Sequence, residues 1–397
     1  MMLETFKRTG KRKFERARKI FQERIPKRFK IHLILVSLWS FCKKTSTTLS
    51  FLSFTLFITF FFFLIANPQS YSQEISLGNE DHSLMKSLTK IEIEQYPGAF
   101  NPSLIDTPDG LLLTFRWIPD PLTPWISHVG VLLLDESLRP ISQPQLLDTR
   151  VENSSIPPQS EDARVFHYQG KLYIIYNDNP HYLNPSSLHR RNIYIAQLFR
   201  DKGQFILSQP LKLYHQEKYF TQKWQKNWVP FEWQGALLMS YSLIPHEVLY
   251  TDCLTGESVS FVTSSLSNKK WKWNWGTLRG GTPAMLVNGE YLAFFHSSLE
   301  VVSLVSNGNC MHHYYMGAYT FSSEPPFEIT KMTPMPLIAE GFYTSSPLPK
   351  RVIFPGGYVI RDTHFYLAYG KDDQEIWIAS INKQRLKELL VPLSLLE

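Results

Sequence analysis

Glu161-Asp162-Ala163-Arg164 sets two adjacent carboxylates and a guanidinium directly ahead of an alternating stretch, Val165-Phe166-His167-Tyr168, a Gln169-Gly170 turn, and Lys171-Leu172-Tyr173-Ile174-Ile175-Tyr176. The flanking pattern predicts two strands with a tight reversal. A cluster of this kind can tune one carboxyl to hold a proton near neutral pH, which is what cleaving or forming an acetal bond requires. The same residues would also serve as an ion pair beside a surface hairpin. What decides between the two readings is what else comes to the same place.

Four other blocks carry residues of comparable chemistry. Ala99-Phe100-Asn101-Pro102-Ser103 is followed by Arg116. Lys226-Asn227-Trp228-Val229-Pro230-Phe231 is followed by Tyr241-Ser242 and His246. Arg279-Gly280-Gly281-Thr282-Pro283 precedes His296 and His313-Tyr314-Tyr315-Met316-Gly317-Ala318, and Phe354-Pro355-Gly356-Gly357 precedes Tyr369-Gly370-Lys371-Asp372-Asp373. The paired glycines after Arg279 permit close backbone approach to a ligand, or form a strand-start turn. Asn101 before a proline fits a turn initiator as well as a ligand, and Asp373 fits an ordinary turn. Trp271, Trp273 and Trp275, on one face of an expected strand, offer either a stacking platform or packing. His312 and His313 would point to opposite faces of a strand, and no Cys/His spacing suggests a metal site. Cys253 and Cys310 are close to nothing in sequence that would show whether they pair. A Gly-x-Ser-x-Gly elbow is absent, so a serine hydrolase is not expected.

The elements that must position these residues are strands. From about Lys90 onward, apolar or alternating runs of five to eight residues such as Gly110–Trp117, Asn192–Leu198, Gly235–Ser242 and Gly289–His296 are bounded by Gly, Pro, Asn or Asp. Only Lys383 to Leu390 reads as a helix. A loose repeat of about 50–70 residues fits five units over residues 96–381, and radial repetition of four-stranded blades is how an all-β chain protects its edges. The expectation is an all-β, five-bladed β-propeller over residues 90–397, with a pair of β-sandwiches as the alternative.

The 397-residue chain carries a net charge of +6, unevenly distributed. Residues 1–48 hold 14 Lys/Arg and 3 Glu, and the chain beyond residue 66 has 27 basic against 32 acidic residues. The globular part therefore has no basic bias suited to nucleic acid. Leu49 to Ala66 is an uncharged apolar run of 18 residues, long enough to span a membrane. Residues 1–48 then read as a basic cytoplasmic tail, 49–66 as a transmembrane signal anchor and 67–89 as a linker. The expected topology is single-pass, with a lumenal, periplasmic or extracellular C-terminal domain. A cleaved signal peptide is the rival, though the leader is longer than usual.

The order Asn-Pro, Glu-Asp-x-Arg, a strand-terminal His, Tyr-x-x-Gly-Ala, Phe-Pro-x-Gly and Tyr-Gly-x-x-Asp resembles glycoside hydrolase family 130, over about residues 96–381. That family comprises β-mannoside phosphorylases and hydrolases, with related β-1,2-mannosyltransferases. The resemblance implies a central inverting site in which Asp162 is the proton donor, acting through a hydroxyl of the bound mannose while phosphate or water attacks the anomeric carbon. It implies that Asn101, Arg116 and Asp373 hold the sugar, with Glu161, Arg164, Lys226, Asn227 and Arg279 beside them. His296 and Tyr314 or Tyr315 stand where family phosphorylases contact phosphate. Where those enzymes carry a His-Arg pair this chain has Tyr241-Ser242, so one oxyanion-gripping guanidinium is missing, and Lys226, Arg279 and His246 are the candidates to replace it. No cofactor is implied beyond inorganic phosphate as a co-substrate. The partner is an oligosaccharide or glycan. A membrane-anchored β-mannosyltransferase and a non-catalytic glycan-binding propeller are the alternatives.

Overall fold

A computed structural model of the chain describes residues 80–151, 157–179, 191–218, 224–264, 273–302, 310–343 and 350–395. All lie in the unit that follows Tyr71. The apolar run 49–66 and the basic tail fall outside the described residues. Among the described residues no helix is long and apolar enough to cross a membrane.

The architecture is all-β, built from successive antiparallel meanders. β1 (Met85–Ile91) comes first in the chain. β2 (Phe100–Thr107), β3 (Gly110–Trp117), β4 (His128–Leu134) and the short β5 (Gln145–Leu146) form one four-stranded sheet. β6 (Glu161–Tyr168), β7 (Lys171–Asp178) and β8 (Asn192–Asp201) follow, with β9 (Gln204–Leu207) and β10 (Leu211–His215) sharing the outer edge of β8. β11 (Val229–Trp233), β12 (Ala236–Ser242), β13 (His246–Thr251) and β14 (Glu257–Ser264) form the next meander. β15 (Thr277–Gly280) and β16 (Met285–Val287) both line β17 (Glu290–Val302), which pairs with β18 (Cys310–Ser322), then β19 (Ile329–Met332). β20 (Lys350–Ile360), β21 (His364–Lys371) and β22 (Glu375–Asn382) come last, before helix α1 (Lys383–Leu389) and β23 (Val391–Pro392).

The last meander takes its fourth strand from the start of the domain. β1 pairs antiparallel with β22, from Met85 opposite Ile381 to Ile91 opposite Ile376. The stretch 67–89 read as a linker is therefore a sheet strand from Met85 onward. Short parallel contacts, β10 with β14 and β18 with β20, join neighbouring meanders into sheets of nine and ten strands.

Local sequence explains the hairpins. Gln169-Gly170 between β6 and β7 has φ of +48° and +70°, the left-handed pair a two-residue turn needs to match strand twist. Gln234-Gly235 repeats this between β11 and β12, at +49° and +78°. Leu111, Leu112, Leu113 and Phe115 of β3 are all fully buried, because both faces of the sheet are covered by neighbouring meanders. α1 starts on Asn382, whose side chain accepts from the Gln384 and Arg385 backbone N–H groups.

The first strands of the meanders converge. β2 packs against β6 and β20, β6 against β11, and β12 against β15. A narrow cavity of about 100 Å³ is lined from every meander, by Leu104, Val165, Phe231, Met285 and Tyr358 among others.

Candidate active site

The polar residues singled out above gather at the beginnings of these convergent strands. There the ladders are irregular: β2 slips register between Phe100 and Ser103, β6 between Glu161 and Arg164, and β20 between Pro355 and Gly357. Each irregularity is a bulge that re-aims a side chain. Asn101, Asp162 and Asn227 accordingly have φ of +46°, +54° and +62°, a region that Asn and Asp tolerate and most residues avoid.

Asn101 and Asp162, from different meanders, meet directly: Asn101 Nδ2 donates to Asp162 Oδ1 at 2.9 Å. Arg116 Nη1 stands 3.6 Å from the same oxygen, and its Nη2 donates to Glu161 Oε1 at 3.1 Å. Asp162 Oδ2 has no protein partner among the described residues. Glu161 is the hub of the positive charge. Its oxygens take Arg116, Arg191 Nη2 at 3.3 Å and Lys226 Nζ at 2.6 Å. Burial pushes its carboxyl up, but Arg116, Lys226 and Arg191 outweigh that and hold it at about 2. Burial likewise acts downward on Arg116, and Glu161, Asp162 and Asp373 more than reverse it. Glu161 is thus a fixed anion, and Asp162 is the carboxylate of the pair with an oxygen left to act.

Asp373 lies on the β21–β22 turn, ion-paired with Lys350. Arg279 is exposed on β15 and sits opposite His296 in the β15–β17 ladder. His296 is buried, packed 4.6 Å from Phe354 and stacked at 6.1 Å on Tyr314. Burial, with Arg164, Arg279 and Lys226 nearby, pushes its imidazole well below the ordinary value, so it is neutral at neutral pH. Asn101 Oδ1, Arg116 Nε and His296 Nδ1 are buried without protein partners.

Three expected ligands, Arg164, His246 and Tyr315, are buried and engaged by the protein. Arg164 is only 2% exposed and spends its guanidinium on the protein. It donates to the carbonyls of Gly281, Asp162 (3.2 Å) and Gly280 (3.4 Å) and to Asn227 Oδ1 (3.1 Å). Its guanidinium carbon also lies 5.4 Å over the Phe354 ring. These contacts let it position the Asp162 bulge, Asn227 and the Gly280-Gly281 backbone. His246 faces the aromatic core, with Nε2 on Ser240 Oγ at 2.9 Å and Nδ1 on the Phe327 carbonyl at 2.7 Å. Burial takes it down to about 4, so a cationic role at an acceptor site is lost. Tyr315 is fully buried against Tyr343 and His313, because adjacent strand residues face opposite ways and Tyr314 has the site-facing side.

Other expectations are also corrected. Trp273 to Gly276 precede β15 and are not a strand, and Trp273 is core, 5.0 Å from Phe295. Cys253 and Cys310 are free. Tyr241, at the position of the missing guanidinium, packs edge-on to His215 and Trp228. Arg191 and Lys350 were missed. Each lies beside a strand start outside any of the motifs, so only the fold brings them in.

The close approach of strands depends on glycines. A Cβ at Gly280 would overlap the Asn227 carbonyl, and one at Gly370 would overlap Asn101 Oδ1.

Paired carboxylates ringed by amide, guanidinium and ammonium groups suit the hydroxyls of a sugar, which need donors and acceptors together; the site and fold define a carbohydrate-active enzyme. The sequence pattern of glycoside hydrolase family 130, described as β-1,4-mannooligosaccharide phosphorylase, matches residues 97–391, and the chain belongs to that family. No curated protein matches it. Among solved structures it is similar to a glycosyl hydrolase from Bacteroides ovatus, at 15% identity and a TM-score of 0.56, covering 80% of this chain and 96% of that one. It is also similar to a β-1,2-mannobiose phosphorylase from Listeria innocua in complex with β-1,2-mannobiose, at 13% and 0.51, covering 77% and 93%. A third structure belongs to a report on family 130 hydrolases that target β-1,2-mannosidic linkages in Candida mannan, at 14% and 0.54, covering 80% and 93%. The chain is therefore a glycoside phosphorylase or hydrolase.

Proposed function

We propose that this protein cleaves β-mannosides with inversion, that Asp162 is the proton donor and that phosphate is the acceptor. The meanders would be the blades of a five-bladed β-propeller with the site at one end of its axis. Residues 49–66 would anchor it in a membrane, with the catalytic domain on the side away from the cytoplasm.

The observation that carries the reading is the meeting of Asn101, Arg116, Glu161, Asp162 and Lys226, from three meanders, with one Asp162 oxygen free. Asp162 passes its proton through a hydroxyl of the adjacent mannose to the glycosidic oxygen. The C1–O bond breaks, its electron pair stays with that oxygen, and the leaving sugar departs as an alcohol. A phosphate oxygen attacks C1 from the opposite face, giving an α-mannosyl phosphate, and solvent returns the proton to Asp162. Asn101 and Arg116 hold the ring in register.

Support for an anionic acceptor is the charge balance. Arg116, Arg191 and Lys226 all bear on the one Glu161 carboxylate, and Arg279 lies opposite His296. Excess positive charge in a cleft concentrates anions. Tyr241 in place of a guanidinium favours a second reading, in which water replaces phosphate and the products are free sugars.

The test is incubation of the full chain with β-1,2- and β-1,4-mannobiose, with and without phosphate. Asp162→Asn is expected to keep its fold and lose turnover by about 10²–10⁴-fold. Release of mannose alone would select hydrolysis, and an Asp162→Asn variant with full activity would remove Asp162 from the mechanism.

A further inference from the structure

Of the described tryptophans, only Trp125 and Trp224 are strongly exposed, at 45% and 57%. Each lies at or near a short bridge that leads to the residues ahead of β6. Trp224 forms a bridge with Arg191, and the next residue, Gln225, donates its N–H to the Arg191 carbonyl at 3.0 Å. Arg191 in turn reaches Gln159 and Glu161. Trp125 lies two residues before Ser127, which exchanges backbone hydrogen bonds with Pro158 and Ser160 at 3.1 and 3.0 Å. Trp224 is also tied to the carboxylate cluster by charge. Lys226 Nζ lies 5.4 Å over its ring while bonding Glu161 Oε2 at 2.6 Å. The exposed indole is thus one side chain removed from the hub of the site. Among the described residues, the other exposed Phe and Tyr rings, Phe199, Tyr250 and Phe261, belong to β8, β13 and β14.

Leaving two indoles in water beside a polar cleft costs apolar burial that a ligand can recover. A sugar presents a polar rim and apolar C–H faces, and only a flat, rigid ring matches the latter. We propose that Trp224 is a stacking platform for a sugar ring beyond the cleaved bond, with Trp125 as a second platform. The substrate is then an oligosaccharide of three or more rings and not a lone disaccharide. This rests on the glycoside-cleaving reading above and adds the length of chain the site engages.

The experiment compares β-mannobiose with β-mannotetraose as substrates of the full chain, for wild type, Trp224→Ala, Trp224→Phe and Trp125→Ala. The readout is the ratio of kcat/KM on the tetrasaccharide to that on the disaccharide. Trp224→Ala is expected to lower this ratio about three- to tenfold, and Trp224→Phe to restore most of it. Trp125→Ala is expected to lower it less. A ratio unchanged in Trp224→Ala, or lowered equally in Trp224→Phe, overturns the platform. If the wild type turns over neither sugar, the cleavage reading fails separately, and titration of tryptophan fluorescence with mannotetraose decides the platform. Binding weakened by Trp224→Ala then supports it, and no binding to the wild type ends it.

Discussion

At the scale of residues, two buried acids within one strand pair respond to pH in opposite senses. Glu161 is held down by three cations, so its contribution to stability is present above the ordinary carboxylate range and is lost as pH falls toward about 2. Asp178, at the end of β7, goes the other way. Burial pushes it up to about 6, against hydrogen bonds from Ser160 Oγ at 2.5 Å and the Asn179 and Gln159 backbone N–H groups. Its folded form binds the proton more tightly than the unfolded chain does. Its stabilising contribution is therefore full below about 4 and fades as pH rises through about 6, an effect on the order of 3 kcal/mol. Melting temperatures of wild type and Asp178→Asn from pH 4 to 7 check this, since the variant should lose the downward slope that Asp178 imposes between pH 4 and 6. A slope identical in both proteins would assign it to another group.

At the scale of elements, Arg164 of β6 ties its own bulge to Asn227 ahead of β11 and to the carbonyls of Gly280, which ends β15, and Gly281. Lysine cannot reproduce four donations from a planar fork. Arg164→Lys should destabilise the domain by about 3 kcal/mol, because carbonyls left buried lose their donors. Denaturant unfolding measures the loss, and an unaltered midpoint would show the ties to be redundant. Much of this level was legible in the sequence. The Gln-Gly turns, the alternating strands and the terminal helix follow from local rules, and Asn101, Asp162 and Asn227 converge because they sit at or just ahead of the first strands of successive meanders. What was not legible depends on register and on partners distant in sequence. Whether Tyr314 or Tyr315 turns toward the site is set by the pairing of β17 with β18, since a slip of one residue exchanges them. His246 reads as an acceptor ligand until the Phe327 carbonyl, from the end of another meander, claims its ring. Arg164 looks like a ligand because nothing local announces that backbone carbonyls will take its protons.

For the whole molecule, the pairing of β1 with β22 ties the first strand of the described domain to its last meander. Beginning the chain at Glu92 would bare the edge of β22 and uncover Ile376 and Ile378, both core residues. Such a chain is expected to melt lower by at least several degrees and to scatter light on concentration, as open β-edges do. A melting temperature equal to that of the full chain would show that β1 only decorates the edge.

The partner strands β1 and β22 are also separated in sequence by nearly all of the described domain. β1 must wait without β22 while the strands between them are synthesised, so this pairing forms late in a growing chain. Until β22 emerges, the edge that β1 will share with it remains open to misassociation.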